Sequence, residues 1–404
     1  MLNRRTGNLF LALFFAFMGS FIFAQNRGKV GELRRPSAAT LRAGAFIDVN
    51  TPAYPESGYS ITQLVKDVLI SGGGCASANV SNVVVSPNLQ PGNQNRSWGF
   101  FNKAGTNFPF NKGIILSTGY ANKAGNSFLG DLSDDLATGG DMDLATALNI
   151  DNTFLTNATF IEFDFVAVSS EGTFKYLFAS KEYQQNFPCN ITDGFALLLK
   201  KVGDPTYTNM AVLPGGAGPV SVTNIHPAFP PTCGPKNEAY YGGTNTAQIE
   251  TNFNGRTIPL TAKAAVIPGQ KYHFKMVLAD FQDPNFDSAV FLEAGSFDIG
   301  VKILGPGGVQ LPASVNMCDN TPQTFTASVQ EPNVTYQWFL NNNPIPGEVN
   351  PSYTATQPGT YTVKVYIQGS SCPGEATITV VGGTSPTVQN ATLTACYTTG
   401  NATF

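Results

Sequence analysis

The chain has 404 residues, enough for two or three domains, and a formal net charge of -4 with an isoelectric point near 5.3. It therefore lacks the basic footprint of a nucleic-acid-binding protein. Charged residues are 12% of the chain, about half the usual share, and Gly and Pro number 41 and 27, a texture that suits an all-β extracellular protein with many turns. Residues 1–24 read as a secretory signal. Arg4 and Arg5 supply the basic start, Leu9 to Phe23 is an apolar run short for a membrane span, and Ala24 is a small residue at the expected cut. The expected localisation is secreted, extracellular or on the outer-membrane surface. Residues 25–57 hold Arg27, Lys29, Arg34, Arg35 and Arg42 among Pro36, Pro52 and Pro55 without periodicity. They read as a linker or an edge-wrapping arm, with basic residues most simply solvated. Ser60 and Gln63 form a capping box, and Ile61, Leu64, Val65, Val68 and Leu69 keep helical spacing up to Gly72. One short helix packed on a sheet is expected.

From Val80 onward the signal is β. Val80 to Val85, Trp98 to Phe101 and Gly113 to Gly119 are strand candidates, and Phe160 to Phe165 alternates large apolar with polar residues. Phe174 to Phe178 is a further β-rich run that breaks at Ser180-Lys181-Glu182-Tyr183. Asp193 follows, then Gly194 to Leu199, an apolar strand buried on both faces. Tyr272 to Asp280 repeats the arrangement, with Asp283, Asp287 and the apolar run Ser288 to Ala294 after it. Twice, an apolar strand ends in carboxylates and another apolar strand follows. Between the strands, residues 130–143 hold Asp131, Asp134, Asp135, Asp141 and Asp143 with Gly139-Gly140. Oxygen-rich, glycine-containing loops suit calcium, which takes six to eight oxygen ligands. The same residues serve as caps for a short helix at Met142 to Leu148. Six cysteines in an exported chain argue for disulfides. Cys189 and Cys233 flank a Pro- and Gly-rich section and are expected to pair, leaving Cys75 free or exchanging partners.

Four segments carry a family resemblance: Phe178-Ala179-Ser180-Lys181-Glu182-Tyr183, Asp193-Gly194-Phe195-Ala196, Phe253-Asn254-Gly255, and Leu278-Ala279-Asp280 before Asp287-Ser288-Ala289-Val290-Phe291-Leu292. Spread in order over residues 61–297, they resemble the choice-of-anchor L domain of secreted and surface proteins, many from gliding Bacteroidetes. The resemblance implies export through the type IX secretion machinery, with adhesion or gliding as context. Lys181 departs from the family, which usually has a second Glu there, and this weakens a metal site at that position.

After Gly300 the texture changes, and Gly305-Pro306-Gly307-Gly308 marks a boundary. Cys318, Trp338 and Cys372 follow, with strands at Tyr336 to Leu340 and Gly359 to Val365. Residues 312–381 resemble a bacterial immunoglobulin-like or PKD-type repeat, which implies Trp338 packed beside a Cys318–Cys372 bridge. The usual Tyr-x-Cys of immunoglobulins is absent. Cys396 follows Cys318 by 78 residues, 396 minus 318, and as Phe325 follows Cys318 so Phe404 follows Cys396, so residues 383–404 read as the start of a further repeat.

The expected fold is mainly β. A jelly-roll-like β-sandwich with one short N-terminal helix occupies residues 58–300, and an immunoglobulin-like β-sandwich occupies residues 301–382. No nucleophile elbow or catalytic cysteine context surrounds His226 or His273, the chain's 2 histidines. Paired carboxylates are the enzymatic option that remains: Glu182 with Asp193, or Asp280 with Asp287, as acid and base on a glycosidic bond. These residues serve most simply as strand-end caps and turns. The second reading is calcium, with Asp131, Asp141, Asp143, Glu182, Asp193, Asp280 and Asp287 as ligands and no other cofactor. Catalysis is the last. The expected function is a non-enzymatic adhesion or ligand-binding head on an immunoglobulin-like stalk. Its partner would be a carbohydrate or another surface protein, with self-association as a further option. The alternatives are a polysaccharide-acting glycoside hydrolase and a structural filament or coat component.

Overall fold

The computed structural model describes residues 46–70, 77–89, 95–245, 249–368, 370 and 372–384. The expected signal, most of the arm, Cys75, Cys396 and nearly all of the tail repeat lie outside the described residues. The chain is mainly β, as its texture implies. Two sheets face each other in the first module. The eight-stranded sheet holds β1 (Asp48–Val49), β3 (Trp98–Asn102), β4 (Lys112–Ser117), β6 (Glu171–Ser180), β9 (Tyr241–Thr244), β10 (Gly255–Thr257), β11 (Leu260–Ala265) and β13 (Ser288–Glu293). Its order is β1-β3-β4-β13-β6-β10-β9, with β11 on the free half of β6. The five-stranded sheet is β2 (Val80–Ser86), β5 (Leu155–Val166), β12 (Lys271–Phe281), β7 (Gly194–Lys201) and β8 (Thr208–Asn209), in that order.

The continuous apolar runs are explained by cover on both faces. Between the sheets, Phe174 stacks on Phe274 at 4.4 Å and on Phe297 at 4.2 Å. The outer face of the eight-stranded sheet is covered by Phe108, Phe110 and Leu132, and that of the five-stranded sheet by Leu144 and Ala145. Leu144 and Ala145 belong to the helix Met142–Leu148, capped by Asp141, whose Oδ1 accepts the Leu144 N–H at 3.0 Å. Fully burying one Leu or Phe stabilises by about 1.5–3 kcal/mol, so the doubly covered strands anchor the module. The capping box forms as expected, with Ser60 and Gln63 satisfying each other's N–H groups. The helix starts at Ile61–Gln63 and continues as a π-helix over Leu64–Leu69. Residues 46–57 wrap the sheet edge: β1 pairs with β3, and buried Arg96 donates to Asn50 Oδ1 and the Ser57 carbonyl, both at 2.8 Å.

The second module has a three-stranded sheet, β14 (Ile303–Leu304), β16 (Gln323–Ala327) and β19 (Ser352–Ala355). Its five-stranded partner is β15 (Ser314–Cys318), β21 (Gly374–Gly383), β20 (Gly359–Ile367), β17 (Val334–Leu340) and β18 (Asn343–Pro344). Trp338 is fully buried and stacks on Tyr353. The modules touch directly. Val168, from the first, is buried in the second module's core with Val301 and Ile303, and Ser370 donates to Asn79 at 2.9 Å.

The expected Cys318–Cys372 bridge is not formed. Cys318 is a free, exposed thiol, and Cys372 is disulfide-bonded elsewhere. Strand direction gives the reason. β15 runs parallel to β21 and places Cys318 beside Gly383, at the end of β21, whereas Cys372 precedes its first residue, Gly374. The nine residue steps of β21 from Gly374 to Gly383, at roughly 3.3 Å each, already hold the two far beyond the ~7 Å Cα limit for a disulfide. Cys189 and Cys233 do pair, with Cα atoms 5.9 Å apart.

Candidate functional site: a buried carboxylate seam

The two carboxylate-bearing loops meet because both cross between the sheets at the same end. β6 leaves the eight-stranded sheet at Ser180, and the chain enters the five-stranded sheet at Gly194. β12 leaves the five-stranded sheet at Phe281, and the chain re-enters the eight-stranded sheet at Ser288. Ser180 faces Ser288 across one sheet, and Gly194 faces Ala279 across the other. Glu182, Asp193, Asp280 and Asp287 therefore collect at one seam, each no more than 3% exposed.

The contacts are specific. Glu182 accepts the Asp193 N–H at 3.2 Å. Asp193 accepts the Phe281 N–H at 3.2 Å and the Ser288 hydroxyl at 2.5 Å. Asp280 accepts the Asn157 side-chain amide at 2.8 Å, but its Oδ1 is buried with no hydrogen-bond partner. Asp287 accepts the Asp134 N–H at 2.9 Å, and Asp134 in turn is ion-paired to Lys123. Burial raises all four carboxyls, and mutual repulsion adds to it. Asp287 is pushed up to about 7 by burial and by Asp134 and Asp131, against the opposing Asp134 N–H and Lys123. Asp193 and Asp280 stand well above the usual carboxylate range, through burial first and repulsion from Glu182 and from Asp193 respectively. Glu182 is raised by burial, with Asp280 and Asp283 adding to it.

The seven residues read from the sequence as calcium ligands fall in three places. Glu182, Asp193, Asp280 and Asp287 share the seam. Asp131 lies at its margin, accepting the Ser133 hydroxyl at 3.3 Å. Asp141 and Asp143 sit on the opposite face of the five-stranded sheet, where buried Lys275 reaches them at 2.6 and 2.7 Å. Among the described residues, no group of three or more His, Cys, Asp or Glu side chains is disposed to hold a metal ion. Lys181 is fully buried, and its Nζ donates to the Asn252 carbonyl at 3.1 Å.

Several seam residues carried no sequence signal. Asn157 adopts φ 53° and its amide bridges Asp280 and the Asp134 carbonyl. Its conformation is one that Asn tolerates better than other non-Gly residues. Gly119 lets the Asp287 carboxylate approach, since a Cβ there would lie 1.9 Å from Oδ2. Both histidines are engaged elsewhere. His273 Nδ1 meets Asp164 at 2.8 Å on the outer face of the five-stranded sheet, and His226 Nδ1 meets the Pro227 carbonyl at 2.8 Å.

Residues 49–298 match the Choice-of-anchor L domain family, and residues 308–381 match the PKD domain family. No curated protein matches the chain. Among solved structures, a β-1,2-glucanase from Parabacteroides distasonis is 11% identical over 55% of this chain and 31% of its own, with a TM-score of 0.15. The BSP domain of a biofilm associated protein is 9% identical over 56% of this chain and 49% of its own, at 0.13. A GH2 β-galacturonidase from Eisenbergiella tayi, bound to glycerol, is 7% identical over 55% of this chain and 35% of its own, at 0.15. The chain thus spans a third to a half of the length of those structures, and at these scores they carry no argument about it.

Proposed function

The chain belongs to the choice-of-anchor L family, with a PKD domain behind that module, and from that premise we propose a non-enzymatic ligand-binding head presented outside the cell. Both families point to an extracellular or cell-surface protein. Among the described residues no helix is long and apolar enough to cross a membrane, which says nothing of a β-barrel. One observation carries the non-enzymatic reading: the four carboxyls that would do acid–base work are sealed in the seam. A glycosidase needs two carboxyls facing a sugar across a gap of about 5–9.5 Å, and buried side chains that share hydrogen bonds with the surrounding loops leave no room for a ring. The seam acts instead as a clasp between the sheets.

Assay of the purified chain on a panel of polysaccharides tests this. Binding without turnover is expected, and turnover abolished by Glu182→Gln would overturn it. Assembly into filaments without any ligand would favour the structural alternative. Type IX export and a place in gliding or attachment belong to the same proposal, and deletion of the gene with loss of attachment is the expected outcome. Calcium at the seam is a proposal of its own. A melting temperature that falls in EDTA supports it, and an unchanged one removes it.

A further inference from the structure

A pocket opens on the outer face of the eight-stranded sheet, at the edge where β9 is the last strand. The alternation of β10 decides what points into it. Gly255 faces the core, since a Cβ there would lie 2.7 Å from Tyr183, so its neighbour Arg256 faces outward. The Arg256 guanidinium lies 6.0 Å from the ring of Phe108, one of the side chains that cover that face. On β9 the residue paired with Arg256 is Gly243. It has φ 112°, a conformation that favours glycine, and a Cβ there would meet nothing within 4 Å. The place of a cross-strand side chain beside Arg256 is therefore left open. Glu250, Thr251 and Phe253 add to the wall, and the volume is about 250 Å³. That is below the roughly 300–1,000 Å³ of drug-sized sites and suits a single small ring.

Arg256 and Glu250 are the charged residues of the lining, one of each sign. Among the described residues neither side chain saturates the other. Arg256 Nη2 is 3.7 Å from Glu250 Oε2, beyond hydrogen-bond reach, and Nη1 meets the Thr257 carbonyl only at 3.5 Å. A guanidinium carries five N–H donors, so most of its capacity is unused. Burial holds the Arg256 pKa below its ordinary value despite the attraction of Glu250, as expected of a cation that its surroundings satisfy only in part. Glu250 sits at φ 67°, and its carbonyl accepts the Ile47 N–H at 2.9 Å. A long side chain keeps that left-handed conformation only where the surrounding structure imposes it.

We propose that this pocket binds a neutral hexose, presented at the end of a glycan chain. The inference rests on the ligand-binding reading above and supplies its site and ligand class. A hydroxyl both donates and accepts, so neighbouring hydroxyls of one ring can accept N–H groups of Arg256 and donate to Glu250. Gly242 and Gly243 bring bare backbone against the ring, and Phe253 supplies an apolar wall. An anionic ligand would face Glu250 and a cationic one Arg256. With no net charge on either side, the affinity should not depend on salt.

The test is titration calorimetry of the full chain with D-glucose, D-galactose and D-mannose, alongside D-glucuronate and L-alanine. At least one hexose should bind equally at low and high salt and slow amide exchange over residues 249–256. Glu250→Gln and Arg256→Lys nearly keep the size of each side chain and should each weaken that hexose at least tenfold. Their thermal midpoints should stay close to native, because so loose an ion pair adds little stability. Lys263→Gln, on β11 outside the pocket, should bind as the native chain does. Full binding by either pair variant would overturn the pocket, as would exchange protection confined to other residues. Binding of none of the three hexoses would overturn the proposal, and glucuronate or alanine bound more tightly than every hexose would overturn the neutral-sugar assignment. The ligand-binding reading is judged separately on glycan arrays. Array binding that persists undiminished in Arg256→Lys sinks only this pocket, whereas no array binding by the native chain sinks the reading itself.

Discussion

Asp280 is the seam acid with an unpartnered oxygen. It is fully buried, faces two other acids, and leaves Oδ1 unpartnered. In EDTA, with calcium kept out of the assay, the native seam should prefer acid. A raised folded-state pKa means the folded chain binds more protons than the unfolded one between the ordinary carboxylate value of about 4 and the folded value. Stability is therefore greatest below about pH 4 on this account and declines as pH rises. For Asp287 the decline runs to about 7. Its contribution is on the order of 4 kcal/mol, at about 1.4 kcal/mol per pH unit. Asp280→Asn removes one charge and keeps the shape. In EDTA it should stabilise by about 1–2 kcal/mol or more at pH 8 and leave stability unchanged only below about pH 4, as read by urea unfolding at pH 8 and pH 3.5. Destabilisation at pH 8 in EDTA would contradict this. Gly119→Ala tests the same seam by volume. Its Cβ would occupy the space of the Asp287 carboxylate, so a loss of about 3 kcal/mol is expected. Gly58→Ala, with nothing within 4 Å of the added carbon, should be near neutral.

At the scale of elements, the loop from β6 to β7 is held by more than its acids. The Cys189–Cys233 bridge spans 44 residues and ties this loop to the turns beyond β8. Tyr183 anchors the same region by donating to the Ile225 carbonyl at 3.0 Å. Cross-linking a loop of that length removes up to about 4 kcal/mol of unfolded-state entropy. Replacing both cysteines by alanine should lower the thermal midpoint accordingly, with the strand content unchanged by circular dichroism. A midpoint within a degree of the native chain would mean the loop is fixed by packing alone. The helix Met142–Leu148 shows the other kind of anchoring. Its Asp141 both caps the helix and meets Lys275 on β12, so a side chain read from the sequence as a calcium ligand fixes a helix to a sheet.

In the whole molecule, the two modules share buried apolar surface. Val168 enters the second core, and an added Cβ at Gly374 would lie 2.5 Å from the Val301 side chain. Ile299 belongs to the first core while Val301 and Ile303 belong to the second, so the connection between modules is itself packed. The native chain should unfold in one calorimetric transition. Val168→Asp buries a charge without a partner and should split it in two, with the second module melting first. Two transitions in the native chain would show that the interface does not couple the modules.

The sequence by itself determined the β class, the two modules, the capped helix, the Cys189–Cys233 pair and the identity of the four seam acids. Alternation, turn residues and short motifs act over a few neighbours, and such signals survive in one dimension. Only the tertiary structure decided that the acids of two distant loops meet, that they are sealed from solvent, and that Asp141 and Asp143 turn to Lys275 instead. It also decided against the Cys318–Cys372 bridge, because the parallel pairing of β15 with β21 sets those thiols at opposite ends of one strand. Sheet order and strand direction are fixed by the packing of residues a hundred or more positions apart, and no local pattern encodes them.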